Sequence, residues 1–180
     1  MENEITLKKR IGYIALKSFI FMVLFAILHF LYTLSPNPFF QIISGTDESV
    51  FQHLKMGFIG YLLLIGIDYL IIRKRIENKQ SFVFSRLISS LLVPWIIFII
   101  WYLVPAFVGD HLPLARELTW ALVVVLLTGV SVSLIDENTE RIEYNLAIKI
   151  VIGILIVVSL IIFIWFSFEL PWIDVFVLPE

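Results

Sequence analysis

Histidine and carboxylate are the side chains in this sequence with chemistry to offer. His29, His53 and His111 are its three histidines, and Asp47, Glu48, Ser49 and Glu117 accompany them in a chain otherwise dominated by hydrocarbon. Imidazole and carboxylate together suit a borderline divalent ion such as zinc, without any thiolate. His29, His53 and Glu48 are the candidate metal ligands. The wider candidate ligand-binding set is His29, Asp47, Glu48, Ser49, His53, His111 and Glu117. Ser49 and His53, at i and i+4, also have the spacing of a nucleophile and its base. That spacing recurs by chance, and the motifs that would sharpen it are absent: no His-Glu-x-x-His, no Gly-x-Ser-x-Gly and no phosphate loop.

These residues must be positioned by membrane helices. The chain has 180 residues, 60% hydrophobic and 16% charged, with a mean hydropathy of +0.98. Apolar runs of this kind recur, so the expected class is an all-α polytopic membrane bundle. A barrel would need short alternating strands instead. Five spans are expected: about 11–34, 56–72, 87–108, 118–135 and 146–168. Phe39 to Ser44 reads as an interfacial segment, Pro94 as a kink in the third span, and Asp136 to Tyr144 as an acidic connector. The tail from Trp172 is too short to cross again. The first apolar run exceeds a signal-peptide core and lacks a cleavage site, so it is read as a retained span. One domain, 1–180, uses the whole length.

Charge sets the expected orientation. Of the 13 Lys and Arg, only Lys55 and Arg116 fall on one side of this alternation; the rest fall on the other. The positive-inside rule then places the N-terminus in the cytoplasm and the C-terminus outside, and all three histidines toward the outer face. The absence of cysteine excludes disulfides, and a net charge of −2 carries no message about nucleic acid. The bilayer is the implied partner; a protein partner or a second copy stays open.

Helical spacing orders the candidates further. The long helix is expected to begin with Thr46 as N-cap, Asp47 and Glu48 in the first turn, and to run to Arg75. At ~1.5 Å per residue it would be about 43 Å long, so its start would stand above the hydrocarbon. Ser49, His53, Gly57, Gly60, Leu64 and Asp68 share one stripe of it. Glu48 falls roughly 140° from His53 on an ideal helix, so the two need not share a ligand. The bland readings stand beside these: a first-turn acid is usually a dipole partner, and a lone histidine in a span is often a packing residue. Lys17 and Asp68 lie at matching depth, and a buried ion pair is the simplest way to tolerate both. The tryptophans read mostly as interfacial anchors.

The stretch Asp47-Glu48-Ser49-Val50-Phe51-Gln52-His53-Leu54-Lys55 resembles the Asn/Asp-Glu-Ser-x-Trp/Phe-Glu/Gln-His-x-Lys signature of a family of small multi-pass prokaryotic membrane proteins, a domain of unknown function. His29 and the tail Leu170-Pro171 through Phe176-Val177-Leu178-Pro179 are similar to that family's pattern. The resemblance implies architecture, a prokaryotic cell membrane and a shared outer motif, and no activity. Two functions follow: an outward polar pocket that binds a ligand or partner, as in a sensor, transport accessory or assembly factor, or a membrane-embedded metal-dependent hydrolase of a lipid or extracytoplasmic substrate. The lack of a catalytic motif favours the first.

Overall fold

Apolar runs bounded by caps give the elements their limits. The structure, a computed structural model, describes residues 2–109, 113–169 and 171. Six helices follow in order: α1 Glu2–Leu34, α2 Pro38–Ile43, α3 Val50–Ile72, α4 Lys79–Val108, α5 Leu114–Thr139 and α6 Leu146–Trp165. All but α2 are long and apolar enough to cross a membrane. Among the described residues every regular element is helical.

The short α2 is built by its first residues. Asn37 accepts the Phe40 N–H at 3.0 Å as N-cap, and Pro38 occupies the first turn, where its missing N–H costs nothing. At the far end of α4, Gly109 takes φ 69°, the left-handed conformation that closes helices without a Cβ penalty. Helix α4 continues through Pro94 without a break.

The helices pack as a bundle in which α1 touches α3 and α5, while α4 touches α3, α5 and α6. Phe21, Phe58, Tyr61, Met56, Val93, Val124 and Val132 form its buried interior. Small residues set the closest approaches. A Cβ at Gly129 of α5 would lie 2.9 Å from the Ser18 Cα of α1, so the two backbones there are in contact. The stripe on α3 is buried as its spacing implies, with Ser49, Gly57, Gly60, Leu64 and Asp68 inside and His53 at the rim. Helix α6 presents most of its side chains outward, including Ile150, Val151, Ile154 and Leu155.

Four expectations need correction. Helix α3 starts at Val50 with Ser49 as N-cap, not at Asp47 with Thr46, because the Ser49 Oγ takes the Gln52 N–H while Thr46 is engaged by the Gln52 side chain. The helix therefore spans 23 residues rather than the longer run to Arg75. Helix α4 begins at Lys79, well before Leu87, which makes Arg86 helical. Helix α5 runs on to Thr139, so Asp136 belongs to it and not to a connector. Asp110 and His111 lie outside the described residues, as does the tail from Trp172.

Candidate functional site

The first cluster grows from the connector between α2 and α3. Its backbone is pinned by Gly45, whose N–H reaches the Leu28 carbonyl of α1 at 3.4 Å. Asp47 accepts the Ser49 N–H at 2.9 Å, and Gln52 donates to the Thr46 hydroxyl at 2.7 Å. These bonds hold Glu48 just upstream of the helix. The 140° separation expected on an ideal helix therefore does not apply. Extended backbone at Ser49 (φ −66°, ψ 152°) lets the Glu48 side chain turn toward both histidines.

His29 Nε2 lies 3.4 Å from Glu48 Oε1, and His53 Nε2 lies 3.6 Å from Glu48 Oε2. One ligand atom from each of the three residues lies within 4.8 Å of the others. The imidazole rings are 5.5 Å apart between centroids. His53 is oriented from behind: its Nδ1 meets the Ser49 carbonyl at 2.8 Å. A carbonyl only accepts, so Nδ1 carries the hydrogen and Nε2 is the nitrogen turned toward Glu48. The ring also stacks with Trp101 and with Phe25, at centroid distances of 6.4 and 6.2 Å. Glu48 itself is open, with 68% of its side chain exposed against about a quarter for each histidine.

The remaining sequence candidates sit elsewhere. Asp47 and Ser49 shape the connector. Ser49 uses its hydroxyl as a cap and its carbonyl for His53, so the serine–histidine nucleophile pairing does not form. Glu117 lies in the first turn of α5, outside the clustered three. Trp101 stacks on His53 and accepts the Trp120 indole N–H on its carbonyl at 3.2 Å.

Behind this cluster Lys55 is fully buried. Its ammonium donates to the Gln41 carbonyl of α2 at 2.8 Å and to the Ser167 hydroxyl beyond α6 at 2.9 Å. One side chain thus ties both segments to α3.

A second polar cluster lies at the opposite end of the bundle. Lys17 of α1 donates to Asp68 of α3 at 3.0 Å, and also to Asp136 of α5. Arg86 of α4 reaches Asp68 at 3.3 Å, stands 3.9 Å from Asp136 and pairs with Glu140. Tyr13 donates to Asp68; Tyr61 and Ser89 donate to Asp136. Lys17, Asp68, Arg86 and Asp136 are each at most 3% exposed. Sequence reasoning found Lys17 and Asp68 and missed the other half. Asp136 stands about 120° from Val124 on an ideal helix, and its buried place beside Val132 and Ser133 on α5 follows only once that helix is seen to continue past Ile135.

The profile of the family of unknown function DUF6512 matches residues 1–178. The chain belongs to DUF6512. No curated protein and no solved structure matches it.

Proposed function

We propose that this DUF6512 protein is a single-domain integral protein of a prokaryotic plasma membrane, N-terminus inside and C-terminus outside, that binds a divalent transition-metal ion at an outward-facing site. It is a binding protein in the sensor or accessory class. The observation that carries this reading is the convergence of two Nε2 atoms on the two oxygens of one carboxylate. Zinc bonds such atoms at about 2.0–2.2 Å, so each group needs to move inward only slightly. The hydrogen bond from His53 Nδ1 to a carbonyl is the usual outer support of a metal-bound imidazole. A second, hydrolytic reading is favoured by the same donor set, because three protein ligands leave a tetrahedral zinc one position for water.

Metal titration tests the site. Purified, metal-stripped protein should bind one Co²⁺ or Zn²⁺, measured by cobalt absorption and calorimetry. His53→Ala and Glu48→Gln should each weaken binding by more than about 100-fold, beyond the loss of a supporting partner alone. Because the imidazoles must be deprotonated to ligate, affinity should fall as the solution is acidified. Binding that does not saturate, or that ignores both substitutions, would remove the proposal. Lipid-ester hydrolysis that rises and falls with metal loading would move the assignment to the hydrolytic reading.

The orientation has its own test. Cysteines replacing Arg116 and Asn78, both exposed, should differ in intact cells. The first should react with an impermeant thiol reagent and the second only after lysis. The reverse pattern would invert the topology and put the histidines inside.

A further inference from the structure

At the end of the bundle opposite the histidines, a cavity of about 220 Å³ opens between the start of α4 and the α5–α6 connector. Asn78, Gln80, Ser81, Glu143, Tyr144 and Lys149 line it. Its walls carry one charge of each sign. Lys149 bonds the neutral Gln80 amide at 2.5 Å and stands over the Phe84 ring at 5.7 Å. Among the described residues, neither Lys149 nor the exposed Glu143 makes an ion pair. The Arg10–Glu137 and Arg86–Glu140 pairs engage other acids of this end.

Depth identifies what kind of molecule could reach both charges. Asn78 precedes the first residue of one candidate span, and Lys149 lies in the first turn of another. The cavity is therefore level with lipid head groups wherever these helices cross a bilayer. Beside it the surface turns apolar at once, with Val83, Leu146, Ile150 and Val151 exposed. A soluble zwitterion would leave that flank unused, whereas acyl chains would cover it.

From this juxtaposition we infer that the cavity binds the head group of an aminophospholipid, phosphatidylethanolamine being the type. The phosphate meets Lys149, and the primary ammonium meets Glu143. Phosphatidylglycerol can set its phosphate on Lys149 too, but offers Glu143 only neutral hydroxyls in place of an ammonium, a weaker hydrogen bond. A choline head group carries positive charge but no N–H to donate to Glu143. Selection thus follows from charge count and hydrogen-bonding capacity together.

Lipid retention tests this on the full-length protein. It would be purified from micelles containing equal phosphatidylethanolamine, phosphatidylglycerol and phosphatidylcholine, and the lipid still bound read by native mass spectrometry. The ethanolamine lipid should dominate. Lys149→Gln should lower its retention about tenfold, the loss expected for one charge-assisted hydrogen bond. Glu143→Gln, at an exposed position, should shift retention toward phosphatidylglycerol. Equal retention of the three lipids, or indifference to both substitutions, would overturn the inference. Displacement by soluble phosphoethanolamine would overturn the lipid assignment, since the apolar flank should make the lipid the stronger ligand. The outcome is independent of metal binding at the histidine end.

Discussion

Asp68→Ala should destabilise the bundle by about 3–5 kcal/mol, the range for removing one member of a buried ion pair. The loss arises because Lys17 and Arg86 would then share one fully buried carboxylate, Asp136, with only the part-exposed Glu140 beyond it. Tyr13 would lose its acceptor as well. Adding Lys17→Met should recover much of the loss. That double variant leaves Arg86 facing Asp136 and Glu140, while Asp136 keeps the Tyr61 and Ser89 hydroxyls. Reversible unfolding in mixed micelles gives the three stabilities. If the single and double variants melt together, Lys17 is not paired with Asp68 in the way the geometry shows.

Gly129→Leu should be comparably damaging for a steric reason. Even the Cβ alone would come 2.9 Å from the Ser18 Cα and 3.0 Å from its Cβ, and a backbone cannot rotate away as a side chain can. Alanine should cost about 1–3 kcal/mol, the usual penalty for overpacking, and leucine more. Separating α5 from α1 here also draws Lys17, the neighbour of Ser18, away from Asp136. Gly153→Ala is the control, because a Cβ there meets nothing within 4 Å. Its change should stay within about 1 kcal/mol, or favour the helix. Equal melting of Gly129→Ala and Gly153→Ala would show that α1 and α5 are not in close contact.

The number of long helices was legible because each apolar run is long and uninterrupted, which is all that crossing a membrane demands of a sequence. Helix limits were less legible, because hydropathy marks where hydrocarbon ends rather than where hydrogen bonding ends. Arg86 and Asp136 were lost in that gap: each lies on a helical turn beyond the apolar run, yet buried among partners. The start of α3 was misplaced despite a usable signal. Ser49 with Gln52 three residues on is the pattern of a capping box, though here the Gln52 amide turns to Thr46 instead of back to Ser49. That small shift decides the candidate site, since it frees Glu48 from helical geometry. No spacing rule predicts a connector side chain. His29 could be assigned a depth from sequence, but its meeting with His53 depends on how α1 and α3 pack.

The clamp formed by Lys17, Asp68, Arg86 and Asp136 also defines a pivot. It fastens four helices to one another near one end of the bundle, while His29 and His53 stand toward the other end of two of those helices. Along α1, His29 is about 18 Å from Lys17 at ~1.5 Å per residue. On a lever arm of that length, a tilt of about 3° carries the imidazole about 1 Å. Its Nε2 now stands 3.4 Å from the Glu48 carboxylate, and contraction onto an ion requires displacements of about that size. Drawing the three donors together is therefore within reach of a rigid swing of one helix, with every buried charge at the fulcrum left in place.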